Sequence, residues 1–157
     1  MQALAERLPR RDLLIVAGDW NGQTGRGDST NSHLIGHFRL GSRCGNGARL
    51  LNFADQSRLF VINTGFQHRN KHLLTWYSNN GHTASHIDYI LVSSQIRSWV
   101  HGSGSMCGAE TGNAYGSDHV LITVQAGQLS DAEVGTAAGD LVYVYYVHYP
   151  APQTGGP

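Results

Sequence analysis

"LLIVAGDWN", residues 13–21, sets five apolar side chains in a row and then turns to an acid, an indole and an amide. Such a run suits a strand buried on both faces, because every side chain must leave water whichever way it points. Asp19 and Asn21 follow two residues apart, a spacing that sends both side chains to one side if the strand continues. The same residues before Gly22 also suit an Asx-type turn, in which the acid bonds the backbone two residues on. The stretch therefore predicts a buried strand with a polar tip.

Working outward, the pattern recurs. "HIDYILV" (86–92) is a second apolar strand, with Asp88 set among Ile87, Tyr89 and Ile90. "GSDHVLITV" (116–124) puts Asp118 and His119 ahead of Val120, Leu121, Ile122 and Val124, and "LLTWYS" (73–78) carries Thr75 and Trp76. "FVINT" (60–64) reads as a short strand. In "GARLLNFADQSRL" (47–59), Leu50, Phe53 and Ala54 share one face, which predicts a helix near 46–59 with Asn46 as its N-cap. "ALAERL" (3–8), closed by Pro9, reads as the last turns of another helix. From Ala126 the chain becomes small and polar, and "LVYVYYVHYP" (141–150) then holds four of the seven tyrosines. That block reads either as an added edge strand or as a segment unrelated to the domain. The division adopted is a domain over 1–125 and an unrelated linker and tail over 126–157.

Composition limits the partners. Lys plus Arg and Asp plus Glu both number 11, so no global basic field attracts nucleic acid and any phosphate must be held locally. A hydrophobic content of 40% fits a folded core, and 157 residues suit one domain. Two cysteines form no disulfide framework. "MQALAERLPRR" (1–11) carries Glu6 and Arg7 where a signal peptide needs an apolar stretch, and no run approaches a membrane span. The expectation is a soluble intracellular protein of the nucleus or cytoplasm, not secreted.

The acids at the strand ends carry the chemistry. A buried carboxylate without a partner costs several kcal/mol, so Asp88 needs one, and His119 is the natural choice. Carboxylates, an amide and an imidazole at one rim of a sheet suit phosphate-ester hydrolysis. The carboxylate takes a proton from water, the amide bonds a phosphate oxygen, and an Asp-supported imidazole stays cationic against the anion. Trp76 by itself reads as core. Nine histidines include the H-x3-H pairs His33/His37, His68/His72 and His82/His86, but these lie in stretches that do not read as helices, which disfavours zinc. "QHRNKH" (67–72) is a local basic cluster able to touch phosphates, or simply a solvated loop.

Taken in order, "LLIVAGDWN", "TWYS", "HIDYILV" and "GSDHVLITV" resemble the C-terminal motifs of the endonuclease/exonuclease/phosphatase superfamily. The text between them is most similar to non-LTR retrotransposon endonucleases and craniofacial-development-protein-like sequences. The resemblance implies an α/β fold, part of a four-layer α/β/β/α sandwich whose N-terminal part is missing, and a Mg²⁺- (or Mn²⁺-) dependent endonuclease acting on DNA. It implies that Asp19 orients and deprotonates the attacking water, and that Asn21 holds a phosphate oxygen. Asp88 would orient His119 against the scissile phosphate, Asp118 would lie near the metal, and Thr75 and Trp76 would shape the site's wall. The family's early Asn and main metal-ligating Glu find no counterpart before "GDWN", so the chain is expected to be a fragment that cuts poorly alone. Two other functions fit the same residues: a non-catalytic binding remnant, and a phosphatase for a small phosphorylated molecule. The sequence identifies no membrane attachment and no protein partner.

Overall fold

A computed structural model describes residues 13–25, 29–105, 118–126, 132–136 and 142–147. The expected helix over "ALAERL" lies outside them. The described elements form a mixed α/β fold in which all the sheets are antiparallel.

The opening stretch becomes β1, Leu13–Asp19, and its antiparallel neighbour is β5, Asp88–Ser93. Their side chains alternate between two cores, which explains why both runs are apolar throughout. Leu14, Val16, Tyr89 and Leu91 enter one cluster with Leu50, Leu51 and Ala54. Ile15, Ile90 and Val92 enter the other with Phe60, Ile96 and Val100, and Ala17 packs against it. Beyond β5 lies β2, Leu59–Val61. The expected "FVINT" strand is shorter than its apolar letters, because Ile62–Thr64 turns into a 3-10 helix.

Helix α1 spans Gly45–Gln56 and buries Gly47, Leu50, Leu51 and Ala54, the spacing of a single helical face. Burial of each leucine contributes about 1.5–3 kcal/mol, so Leu50→Ala would cost at least that. The N-cap differs from the expectation. Cys44 occupies it without a side-chain bond, while Asn46 lies inside the first turn and donates from Nδ2 to the Asn21 carbonyl at 2.9 Å. Gly47 is required there, since a Cβ would lie 1.9 Å from the Gln23 carbonyl oxygen. The helix ends at Ser57, with Arg58 at φ 54°, the left-handed conformation common just past a helix.

Two small ladders complete the rim. β3, Trp76–Tyr77, pairs with β4, Ala84–Ser85, and β6, Val100–Ser105, pairs with β7, Ile122–Ala126. On the free side of β1, β9 (Val142–Val147) pairs with it, and β8 (Ala132–Thr136) pairs outside β9. Part of "LVYVYYVHYP" is thus an added strand, one place in from the sheet edge. No helix among the described residues is long and apolar enough to cross a membrane.

Candidate active site

The β1–β5 register decides the site. Asp19 stands opposite Asp88, at the end of the facing pairs Ile15–Val92 and Ala17–Ile90. Opposed residues of an antiparallel pair share a face, so two acids project together where the second core's stripe reaches the rim. Like charges so placed repel. This pair is a local cost that packing does not require.

A third group answers it. The segment Asp118–Val120 lies along β3: Tyr77 N–H donates to the Asp118 carbonyl at 2.9 Å, Val120 N–H to the Thr75 carbonyl at 2.7 Å, and Trp76 bridges His119. This short pairing carries His119 over Asp88, with Nδ1 at 3.1 Å from both carboxylate oxygens. Its Nε2 faces Asp19 Oδ2 and Asp118 Oδ1, each 3.9 Å away. Asp118 is held from its other oxygen, Oδ2, by the Trp76 indole N–H at 2.7 Å.

Beneath them is Thr75, which is buried, so its expected place in the wall is corrected: it is a floor. Its Oγ1 accepts the backbone N–H of Ile87 and of Asp88, both at 3.0 Å. Burial pushes the Asp88 carboxyl above the usual range. The Thr75 hydroxyl and His119 oppose that shift, and nearby Asp19 adds to it. Of the two readings open for Asp19 and Asn21, the Asx-type turn is the one adopted. β1 stops at Asp19, Asn21 turns to φ 43°, and its N–H donates to Asp19 Oδ1 at 2.7 Å, an Asx-type contact. Asn21 still reaches the cleft, because the turn folds back beside Asp19.

The cleft holds about 510 Å³ and is lined by Asp19, Asn21, Trp76 and His119 together with Gln23 and Cys44. Sequence reading missed the last two. Gln23 Nε2 donates to Ser85 Oγ at 3.1 Å, tying the loop after β1 to β4. The Cys44 thiol is held below its usual range by the backbone N–H groups of Gly47 and Gln23. The available signal was the glycine-flanked start of the helix, which sets backbone N–H groups around residue 44.

Among the described residues, Asp19, Asp88 and His119 form a group able to hold a metal ion, each offering a donor atom within 4.8 Å of the others. Asp118 lies outside that group. Two carboxylates and an imidazole suit a hard or borderline divalent cation. None of the three H-x3-H pairs joins such a group: His33 binds Asp55, and His86 is buried against Asn63.

A family model described as endonuclease-reverse transcriptase matches residues 1–123. The chain belongs to this family. Its members are of nuclease or phosphoesterase type and resemble the endonuclease/exonuclease/phosphatase group. Two similar relatives, both called Craniofacial development protein 2, come from Tragulus javanicus and Bos taurus, and each is 36% identical over 122 residues. The match covers 78% of this chain and 20% of each relative, so the chain spans about a fifth of their length. No solved structure matches it.

Proposed function

We propose that the chain is part of a divalent-metal-dependent endonuclease, of retrotransposon descent, that hydrolyses phosphodiester bonds in DNA. One observation carries the reading: His119 is clamped by both oxygens of Asp88 while its other nitrogen faces Asp19 and Asp118 across the cleft. The Asp88 clamp fixes a proton on Nδ1 and orients the ring, so that Nε2 is turned toward the place a phosphate oxygen would take. Asp19 has the reach to take a proton from an attacking water, and the Asn21 amide, turned into the same cleft, would bond another phosphate oxygen. Trp76 occupies one oxygen of Asp118, and the other, Oδ1, would lie near an Mg²⁺ or Mn²⁺ ion held from Asp19, with water in the remaining positions. Such a cation, when bound, neutralises charge on the phosphate oxygens and leaving group. We also infer that the family unit ends near residue 125, and that residues 126–157 are an addition unrelated to it, of which Val142–Val147 pairs with β1. The limit of the family match at residue 123 supports this boundary.

The test incubates purified chain with supercoiled plasmid and Mg²⁺, beside an EDTA control, a His119→Ala variant and a small phosphomonoester. The expected result is weak nicking by the chain alone, which EDTA and His119→Ala both remove. Phosphomonoester turnover without nicking would assign the site to a phosphatase. Nicking that survives His119→Ala would sink the assignment altogether.

A further inference from the structure

A second cavity, of about 430 Å³, lies between residues 37–40 and residues 67–73 and shares no lining residue with the cleft. Its polar wall comes from His37, Arg39, Gln67, His68 and Asn70, above Leu73. No carboxylate among the described residues lines it. Arg39 carries a permanent positive charge, and His37, Gln67 and Asn70 can each donate a hydrogen bond.

The wall is built rather than incidental. His68 spans from its loop to β6, where its Nε2–H donates to the Ser103 carbonyl at 2.8 Å. That bond fixes the ring and its tautomer and leaves Nδ1 as the remaining nitrogen. The neighbouring Gly104 makes room for it, since a Cβ there would sit 2.8 Å from His68 Nε2. Leu73 in turn lies two residues from Thr75, the floor of the catalytic group, so at most about 7 Å of chain separates them.

We propose that this cavity is a second phosphate-binding site, taking a backbone phosphate of the nucleic-acid strand whose scissile bond lies at His119. A chain with zero formal charge has no global field to attract a polyanion, so affinity must come from local donors. A pocket lined by an arginine, a histidine and two amides supplies them. The identity of the strand rests on the proposed function, whereas binding itself needs neither metal nor turnover.

The experiment titrates the full chain in EDTA with a fluorescein-labelled single-stranded thymidine oligonucleotide, over a series of NaCl concentrations, using inorganic phosphate as competitor. The variant is Gln67→Glu with Asn70→Asp. Both positions are exposed, so the new carboxylates change the charge at the mouth without emptying the core. The expected result is affinity at least about tenfold lower and a salt slope smaller by about 1, with an unchanged melting temperature. Unchanged affinity in the variant overturns the site, even if His119-dependent cleavage stands. If the oligonucleotide fails to bind while phosphate shifts the Arg39 side-chain NMR signals, the strand is the wrong ligand and the proposal falls. Weakened binding in the variant with no plasmid nicking by wild type upholds the site and sinks the catalytic reading instead.

Discussion

His86 and His119 each place a ring nitrogen 3.1 Å from a neighbour, but His86 faces the Asn63 amide in the core and His119 the Asp88 carboxylate at the rim. Asn63 is fully committed: its Oδ1 accepts the Ile90 N–H, and its Nδ2 donates to the Asp88 carbonyl and to His86 Nε2. His86 Nε2 must then be an acceptor, so the neutral ring carries its proton on Nδ1, which is buried with no hydrogen-bond partner among the described residues. Burial alone brings the His86 pKa down to about 4. The two rings share chemistry and differ in neighbours and in access to water. One has become packing. The other is equipped to meet an anion.

The largest expected effect separates them by activity. His119→Ala should lower Mg²⁺-dependent nicking by about 10²–10⁴-fold, the usual contribution of a positioned acid or base, whereas His86→Gln should leave the rate per folded molecule within a few fold. Equal losses in a plasmid-nicking time course, normalised to the folded fraction, would erase the distinction.

The next effect is on stability against pH, and its sign follows from the lowered pKa. Between about 6.5 and about 4 the unfolded chain binds a proton at residue 86 that the folded chain refuses. Stability from this group is therefore full above about pH 6.5 and is lost as the pH falls to about 4, by on the order of 3 kcal/mol. Urea unfolding at a series of pH values should show that slope, and His86→Gln should flatten it. A slope unchanged by His86→Gln would mean that another group causes it.

The smallest effect concerns the carboxylate. Because burial disfavours the charged form of Asp88, Asp88→Asn should leave stability at neutral pH unchanged or raise it by about 1 kcal/mol, while nicking falls. Thermal melts paired with the nicking assay would check this. A large loss of stability would make Asp88 a structural group and weaken its contrast with Asn63.

The motif residues were legible in the sequence, and so was the Asp88–His119 pairing. An acid inside an apolar strand had to find a partner, and an imidazole beside another strand could provide it. The helix was legible from Leu50, Phe53 and Ala54, but its cap was not. Asn46 has the right side chain, yet the loop after Asp19 needs that amide for the Asn21 carbonyl. The wall position of Thr75 follows from the family resemblance alone. The residue lies in the floor because two backbone N–H groups at the start of β5 converge on its oxygen. Gln23 and Cys44 were invisible as cleft residues, since only the packing of α1 against that loop brings them to Asp19.

The sequence by itself determined the buried strands, the helix face and the polar tips, because these follow from periodicity and from the cost of burying a charge. Only the tertiary structure decided the register that sets Asp19 opposite Asp88, and the β3 pairing that lays His119 across both. Register depends on which residues of distant segments face one another, and a one-residue slip would have sent the two acids to opposite faces of the sheet.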